Sequence, residues 1–148
     1  MLDKIDFKIL DALKQDSKVS MREISRKIGV AASTVHDRIR ALKKERVIKR
    51  YTGDIDNDKI GKSLTAYMLL SFDSGEIQKH NITDHKVTDD LAKHPAIEEV
   101  CSITGRSDLF IKVNVKDMKE LDEVTVKFIR QAIGVSRTET MVVMYRGK

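Results

Sequence analysis

The sequence has few of the residues that cross-link a chain or interrupt its elements. It contains one cysteine, one proline and no tryptophan, and aromatic residues make up 5% of it. A lone cysteine cannot form an internal disulfide, so we expect a reducing, cytoplasmic environment. No apolar run approaches the ~18 residues of a membrane span, and no membrane contact is expected. Hydrophobic residues at 41% and charged residues at 34% indicate a folded globular protein rather than a disordered chain.

Motifs for catalysis, metals and cofactors are also missing from the sequence. Residues 61–63 resemble the end of a phosphate-binding loop, but Asp56 stands where that loop needs its first glycine. His80, His85 and Cys101 lack the spacing of metal ligands. We therefore expect no enzymatic activity, no metal and no cofactor.

Positive charge is concentrated in the first third of the chain. Residues 1–53 carry 14 Lys/Arg and 7 Asp/Glu, a net charge of +7, whereas residues 54–148 carry 14 and 16, a net charge of −2. This asymmetry suggests that only the first part meets a polyanion. A charge-rich surface without a partner would give the same numbers, so charge alone leaves both interpretations open.

Residues 1–53 are predicted to form three helices in a helix-turn-helix arrangement. Asp3 suits the N-cap of the first helix, and residues 20–23 form a capping-box pattern that opens the second. Gly29 supplies the positive φ of a very short turn to the third helix. We also expect a short strand and turn near residues 47–53. The predicted buried contacts are Ile9, Ile24, Ile28, Val30, Val35, Ile39 and Leu42.

The opposite face of the third helix is suited to the DNA major groove. Short polar side chains near a helix start suit base edges, and surrounding lysines and arginines suit phosphates. The alternative is a three-helix domain that binds protein. The residues predicted to contact double-stranded DNA are Arg22, Lys27, Ser33, Thr34, His36, Asp37, Arg38, Arg40, Lys43 and Lys44.

Residues 54–63 are predicted to be a linker, and residues 64–148 an α+β domain. The periodicity indicates strands at 64–72, 97–104, 109–115 and 138–145, with helices at 83–93 and from 117 onwards. The second helix is expected to turn Leu121, Val124, Phe128 and Ala132 inward, and the stretch 74–81 is read as polar and non-helical. The order βαββαβ is the ferredoxin-like arrangement. Its two helices cover one face of the sheet, so the other face either packs on a second subunit or is exposed.

The sequence resembles the Lrp/AsnC family, the leucine-responsive or feast/famine regulators. The resemblance covers essentially the whole chain, in the right order, from the helix-turn-helix to the final strand. Two features depart from it: Ala31-Ala32 replaces the usual Ser-Pro, and the segment 74–81 is longer than usual. The residues that carry the resemblance are Leu2, Asp3, Asp6, Ile9, Leu10, Leu13, Ile28, Gly29, Val30, Ser33, Thr34, Val35, Arg38, Ile39, Leu42, Val47, Ile48, Tyr51, Thr104, Gly105, Asp108, Gly134, Val135, Thr138 and Thr140.

The resemblance implies a sequence-specific transcriptional regulator with a winged or plain helix-turn-helix and a ferredoxin-like effector domain. It also implies homodimers, often assembled into larger rings such as octamers, and an amino acid or related metabolite as effector. The alternative is a global or architectural DNA-binding protein of the same fold that needs no effector.

The same resemblance places the effector pocket against the hairpin between the second and third strands. An amino-acid carboxylate would approach backbone amides at Gly105, and Asp108 would hold the ammonium. Arg106 would disfavour basic ligands. The alternative is that Asp108 merely caps a turn. The predicted ligand-binding residues are Thr104, Gly105, Arg106, Asp108, Thr138 and Thr140.

Overall fold

The computed structural model describes residues 2–145, in two compact units that divide between Ile55 and Asp56. This division falls within the segment 54–63. Among the residues described, no helix is both long and apolar enough to cross a membrane.

Three helices make up the N-terminal unit: α1 (Lys4–Gln15), α2 (Met21–Ile28) and α3 (Ala32–Lys44). The Asp3 carboxylate accepts from the backbone amides of Ile5 and Asp6, which starts α1 at the predicted cap. The Ser20 hydroxyl and the Glu23 carboxylate accept from each other's backbone amides at the start of α2. Gly29 ends α2 with φ 73°, the left-handed conformation that the short turn requires. Both predicted helix starts and the turn are therefore confirmed.

The core of the N-terminal unit contains most of the apolar row predicted from helical spacing, with Ala12 added and with Ile28 and Val30 only half-buried beside it. Six side chains, with at least one from each helix, are almost fully buried, and a ring of half-buried apolar residues packs around them. Burial of each larger side chain stabilises the unit by roughly 1.5–3 kcal/mol. The six are Ile9, Ala12, Ile24, Val35, Ile39 and Leu42.

The short strand predicted after α3 does not form. Residues 49–56 have no regular secondary structure, and the described chain has no strand before Leu64. Arg46, with φ 57°, turns the chain at the end of α3, and the amide of Ile48 returns to the carbonyl oxygen of Leu42. A strand needs a neighbour to accept its ladder hydrogen bonds. This unit offers none, so an apolar pattern alone was insufficient.

The C-terminal unit is a four-stranded antiparallel sheet with helices against one face. The strands are β1 (Leu64–Phe72), β2 (Ile97–Ser102), β3 (Leu109–Val115) and β4 (Val135–Val142), in the spatial order β2-β3-β1-β4. The helices are α4 (Ser74–Lys79), α5 (Asp84–Leu91) and α6 (Met118–Lys127), and a 3₁₀ turn, Ile129–Gln131, follows α6. This topology confirms the predicted α+β fold with a ferredoxin-like domain.

The core of this unit lies between the sheet and its helices. Alternate residues of β1 and β3 point to the same side and meet apolar side chains of α5 and α6. Those with no exposed surface are Ala66, Met68, Leu70, Leu109, Ile111, Val113, Val115 and Ile129.

Several boundaries in this unit differ from the predictions, including the end of β2 at Ser102 and of α5 at Leu91. The stretch 74–81 contains the helix α4, which Asp73 caps and whose Ile77 is buried. The last strand begins at Val135 and ends at Val142, three residues earlier at each end than predicted. One residue further, the amide of Val143 still donates to the carbonyl oxygen of Thr65 in β1.

The predicted inner face of the second helix is confirmed, although the helix ends earlier than that row. Leu121 and Val124 are buried on α6, and Phe128 and Ala132, at and beyond its end, pack against the same core. Asp117 and Glu120 have the spacing of a capping box at the start of α6, but the box forms only in part. The Asp117 carboxylate caps Glu120, but the Glu120 carboxylate accepts from the amide of Lys116 instead.

We predict that Gly134→Ala destabilises the C-terminal unit more than Gly61→Ala does. Both glycines have positive φ, 83° and 78°, so each alanine strains the backbone by about 1 kcal/mol. At Gly134 the new Cβ would also clash with Cδ1 of Ile77, whereas nothing lies within 4 Å at Gly61. Overpacking should add about 1–3 kcal/mol. Chemical unfolding measures both losses, and equal losses would show that Ile77 moves aside without cost.

Candidate nucleic-acid and effector sites

The predicted DNA-reading residues lie together on the exposed side of α3. Ser33, His36, Asp37 and Arg40 are exposed, opposite the buried row that contains Val35 and Ile39. Their spacing of three or four residues places them on one face of the helix. Thr34 is half-buried beside them, and Lys43 and Lys44 are exposed at the end of the helix.

Several of these polar side chains already have partners within the chain. His36 Nδ1 lies 3.3 Å from Oδ1 of Asp37. Lys43 Nζ lies 4.7 Å from the centre of the Tyr51 ring, a cation–π contact. On α2, Lys27 Nζ donates to Oε1 of Gln15 at 2.8 Å. Arg22 is exposed on the same helix.

Arg38 is directed towards α1. Its Nη1 atom lies 2.8 Å from Oδ2 of Asp3 and 3.3 Å from Oδ2 of Asp6. The backbone amides of Asp6 and Ile5, together with Arg38, hold the pKa of Asp3 below its usual value. Of the residues predicted to contact DNA, Arg38 is thus the one held by two carboxylates.

The N-terminal end of α3 has no side-chain cap. Ala31 occupies the cap position with extended backbone, and Ser33 lies inside the first turn instead of replacing it. The first amides of the helix therefore keep the partial positive charge that attracts anions.

The hairpin between β2 and β3 is attached to the end of β1. The Asp108 amide donates to the carbonyl oxygen of Leu70, and its Oδ2 accepts from the amide of Phe72, both at 2.8 Å. The Ser71 hydroxyl donates to the carbonyl oxygen of Arg106 at 3.4 Å. Gly105 adopts φ 129° within the turn. Asp108 thus fastens the hairpin to β1 through its amide and its Oδ2 atom, and its Oδ1 atom takes no part in these two hydrogen bonds.

A cavity of about 270 Å³ opens beside this attachment, lined by Phe72, Ser74, Ile77, Gln78, Asp84 and Asp108. Of the predicted ligand-binding residues, only Asp108 lines it. Sequence reasoning missed Ser74 and Gln78 because it missed α4, and it missed Asp84 because nothing local places the start of α5 beside the hairpin. The pattern Asp73 with Glu76 three residues later, a helix-start signal, would have found α4.

The other predicted ligand residues lie away from this cavity. Thr138 accepts a hydrogen bond from Nε of Arg130 at 3.1 Å. Thr140 is exposed on β4, and Thr104 and Arg106 are exposed in the hairpin. Arg106 does not line the cavity, which two carboxylates line instead, so the structure gives no support to the expected exclusion of basic ligands.

The sheet face away from the helices, here called the open face, carries Tyr67, Leu69, Cys101, Phe110 and Met141. The strand register places these side chains opposite the buried set. The rings of Tyr67 and Phe110 stack at 5.3 Å, and Met141 is 41% exposed. Burial raises the pKa of the Cys101 thiol, and the Glu99 carboxylate adds to the shift. The same register places Lys112 beside Tyr67 and Glu139 beside Leu69, so the apolar cluster of this face is bordered by charged side chains.

Two family models match the chain, one on each unit. Residues 2–49 match a winged helix-turn-helix DNA-binding domain, and residues 66–148 match the Lrp/AsnC ligand binding domain.

Curated relatives match over nearly the full length. The HTH-type transcriptional regulator FL11 of Pyrococcus horikoshii is 38% identical over 143 residues, covering 97% of this chain and 89% of the relative. FL11 of Pyrococcus furiosus is 35% identical over 144 residues, with coverage of 97% and 90%.

Solved structures share the fold along the whole chain. Bacillus subtilis LrpC has a TM-score of 0.81 at 26% identity and covers 100% of this chain and 98% of its own. A transcriptional regulator from Neisseria meningitidis, solved in complex with L-Met, has a TM-score of 0.88 at 20% identity, with coverage of 100% and 93%.

Proposed function

As a member of the Lrp/AsnC family the chain is a DNA-binding transcriptional regulator and not an enzyme, and we propose that it reads a specific operator as a homodimer that responds to an amino acid. The observation that carries this proposal is the exposed row Ser33, His36, Asp37 and Arg40 on α3. It lies in the part of the chain with a net charge of +7. A helix with short polar groups on one exposed face suits the major groove.

Different parts of α3 would make different contacts with DNA. Arg40, on the exposed face, would donate to guanine in the groove, where a good bidentate pair gives about 1–3 kcal/mol of discrimination. Lys43 and Lys44, at the end of the helix, would meet phosphates, which supply affinity without sequence preference. The uncapped start of α3 would offer its amides to a further phosphate.

We predict that Arg40→Ala lowers operator affinity by about 1–3 kcal/mol and relaxes sequence preference. The pair Lys43→Ala and Lys44→Ala should weaken binding to all sequences alike and flatten its salt dependence. Fluorescence anisotropy on a duplex selected by the wild type and on random DNA, across a salt series, measures both effects. Equal loss from Arg40→Ala on the two duplexes would remove Arg40 from the reading surface.

The homodimer would form through the open face. Tyr67, Leu69 and Phe110 form a half-buried apolar cluster on it, with Lys112 and Glu139 alongside, and the helices cover the other face. Packing two such faces together removes apolar surface from water, which is the main driving force of association. Dimers would also place two copies of α3 on one operator, and pairs of dimers would give larger rings such as octamers.

We expect Leu69→Glu to dissociate the dimer, because it would bury an unpaired carboxylate at the centre of the open face. Val126→Glu is the matched control, since Val126 is 41% exposed on α6 and lies off that face. Sedimentation velocity should show a smaller species for Leu69→Glu alone, with an unchanged circular dichroism spectrum. Dissociation by both variants, or by neither, would contradict the assignment of the interface.

The effector would occupy the cavity beside the β2–β3 hairpin. Asp84 and Asp108 line it, and carboxylates there would attract the ammonium group of an amino acid. Apolar contacts to the ligand side chain would come from Phe72 and Ile77. The Neisseria meningitidis structure with L-Met supports an amino acid as the ligand class.

Thermal-shift measurements with a panel of amino acids and the corresponding 2-oxo acids test the effector proposal. We expect an amino acid to raise the melting temperature and its 2-oxo acid, which lacks the ammonium group, to have no effect. Asp84→Asn should abolish the shift, whereas Arg106→Gln, outside the cavity, should preserve it. If no amino acid shifts the wild type, the effector proposal fails, and an architectural DNA-binding protein that needs no effector becomes the better description.

A further inference from the structure

Arg38 contacts the start of α1 although it belongs to the helix that reads DNA. Besides its contact with Asp3, its Nη1 atom lies 3.4 Å from Oδ1 and 3.3 Å from Oδ2 of Asp6. The Asp6 side chain is 5% exposed, and that of Arg38 is 39% exposed. The Asp6 carboxylate is thus buried, and the guanidinium of Arg38 lies between α3 and α1.

The two carboxylates that hold Arg38 are themselves fixed by the backbone of α1. Asp3 Oδ1 accepts from the amides of Ile5 at 2.8 Å and Asp6 at 3.1 Å. Asp6 Oδ2 accepts from the amide of Asp3 at 2.9 Å. Because each side chain caps the first turn of α1, neither can follow Arg38 if α3 rotates. The capping box therefore fixes the positions of the two carboxylates that bind Arg38.

Few other polar contacts restrain the orientation of α3. Its first turn has no side-chain cap. The preceding turn is held by the Ser25 hydroxyl, which donates to the carbonyl oxygen of Val30 at 2.6 Å. The buried row packs α3 against its neighbours, and this apolar contact is non-directional. Arg38 supplies a directional contact in the middle of the helix.

We propose that Arg38 is a positioning residue that sets the rotation of α3 through Asp3 and Asp6, and does not itself bind phosphate. This inference rests on the proposed reading role of α3. His36, Asp37 and Arg40 lie within two residues of Arg38, so a rotation about α3 moves all three against the bases. Hydrogen bonds to base edges are directional and are lost on such a shift. The capping box of α1 thereby contributes to sequence specificity without touching DNA.

The test compares Arg38→Gln, Asp6→Asn and the double variant on two DNA duplexes. One duplex is selected by the wild type from a random library, and the other is its scrambled sequence. We expect each single variant to lower the ratio of the two affinities about tenfold, which is a modest loss for one misplaced base contact. The double variant should lose no more than either single variant, because both break the same contact. The salt dependence should stay unchanged in all three.

A direct phosphate contact by Arg38 predicts a different pattern and would overturn the proposal. Arg38→Gln would then weaken both duplexes equally and reduce the salt slope by about one. Asp6→Asn would free the guanidinium and leave binding unchanged or stronger. If the wild type itself bound the two duplexes with equal affinity, the reading role proposed for α3 would be refuted instead.

Two further variants separate positioning from general charge and folding effects. Asp11→Asn removes one exposed carboxylate from the same helix and should leave the affinity ratio unchanged. Arg38→Lys keeps the positive charge and reaches one carboxylate, so it should recover part of the ratio. Circular dichroism at the assay temperature shows whether Arg38→Gln is folded. If it is unfolded, Arg38→Lys replaces it in the comparison of the two duplexes. An Arg38→Lys ratio equal to that of the wild type would show that charge alone is required and would contradict the positioning role.

Discussion

The pairing of β1 with β3 on one side and β4 on the other determines most of the C-terminal unit. This double register sends Met68 and Leu70 towards the helices and Tyr67 and Leu69 to the open face. It also positions β4, whose ladder with β1 runs from Val135 to Val142. At its other end, β1 holds the hairpin through Leu70 and Phe72. The apolar core, the interface proposed for a second subunit and the cavity proposed for an effector thus depend on one central strand.

Features determined by neighbours in sequence could be predicted, and those determined by distant partners could not. The caps at Asp3 and Ser20 and the turn at Gly29 involve residues at most five apart, so composition and spacing identified them. The helix α4 has six residues, and its Ile77 packs against Gly134, a contact that local periodicity cannot show. The strand expected after α3 failed for the same reason, since a strand depends on a partner that the pattern does not name.

The same distinction between local and distant partners applies to the candidate sites. Helical periodicity was sufficient to place Ser33, His36, Asp37 and Arg40 on one exposed face. The partners of Arg38 lie 32 and 35 positions earlier in the chain, and no spacing rule connects them. Asp84 reaches the cavity only because α4 and α5 fold over the end of the sheet. The exposed face of α3 was therefore predictable, the direction of Arg38 was not, and the cavity was predictable only as far as the hairpin.

The bare start of α3 has a thermodynamic consequence for how the regulator meets DNA. A side-chain cap adds ~1 kcal/mol to a helix, and α3 has none, whereas α1 and α2 each have a full capping box. The first turn of α3 therefore frays more readily in the free protein, and its amide hydrogens exchange faster with solvent. A phosphate at these amides would order the turn on binding. Part of the favourable enthalpy would then be offset by lost conformational entropy, which makes affinity fall more steeply with temperature.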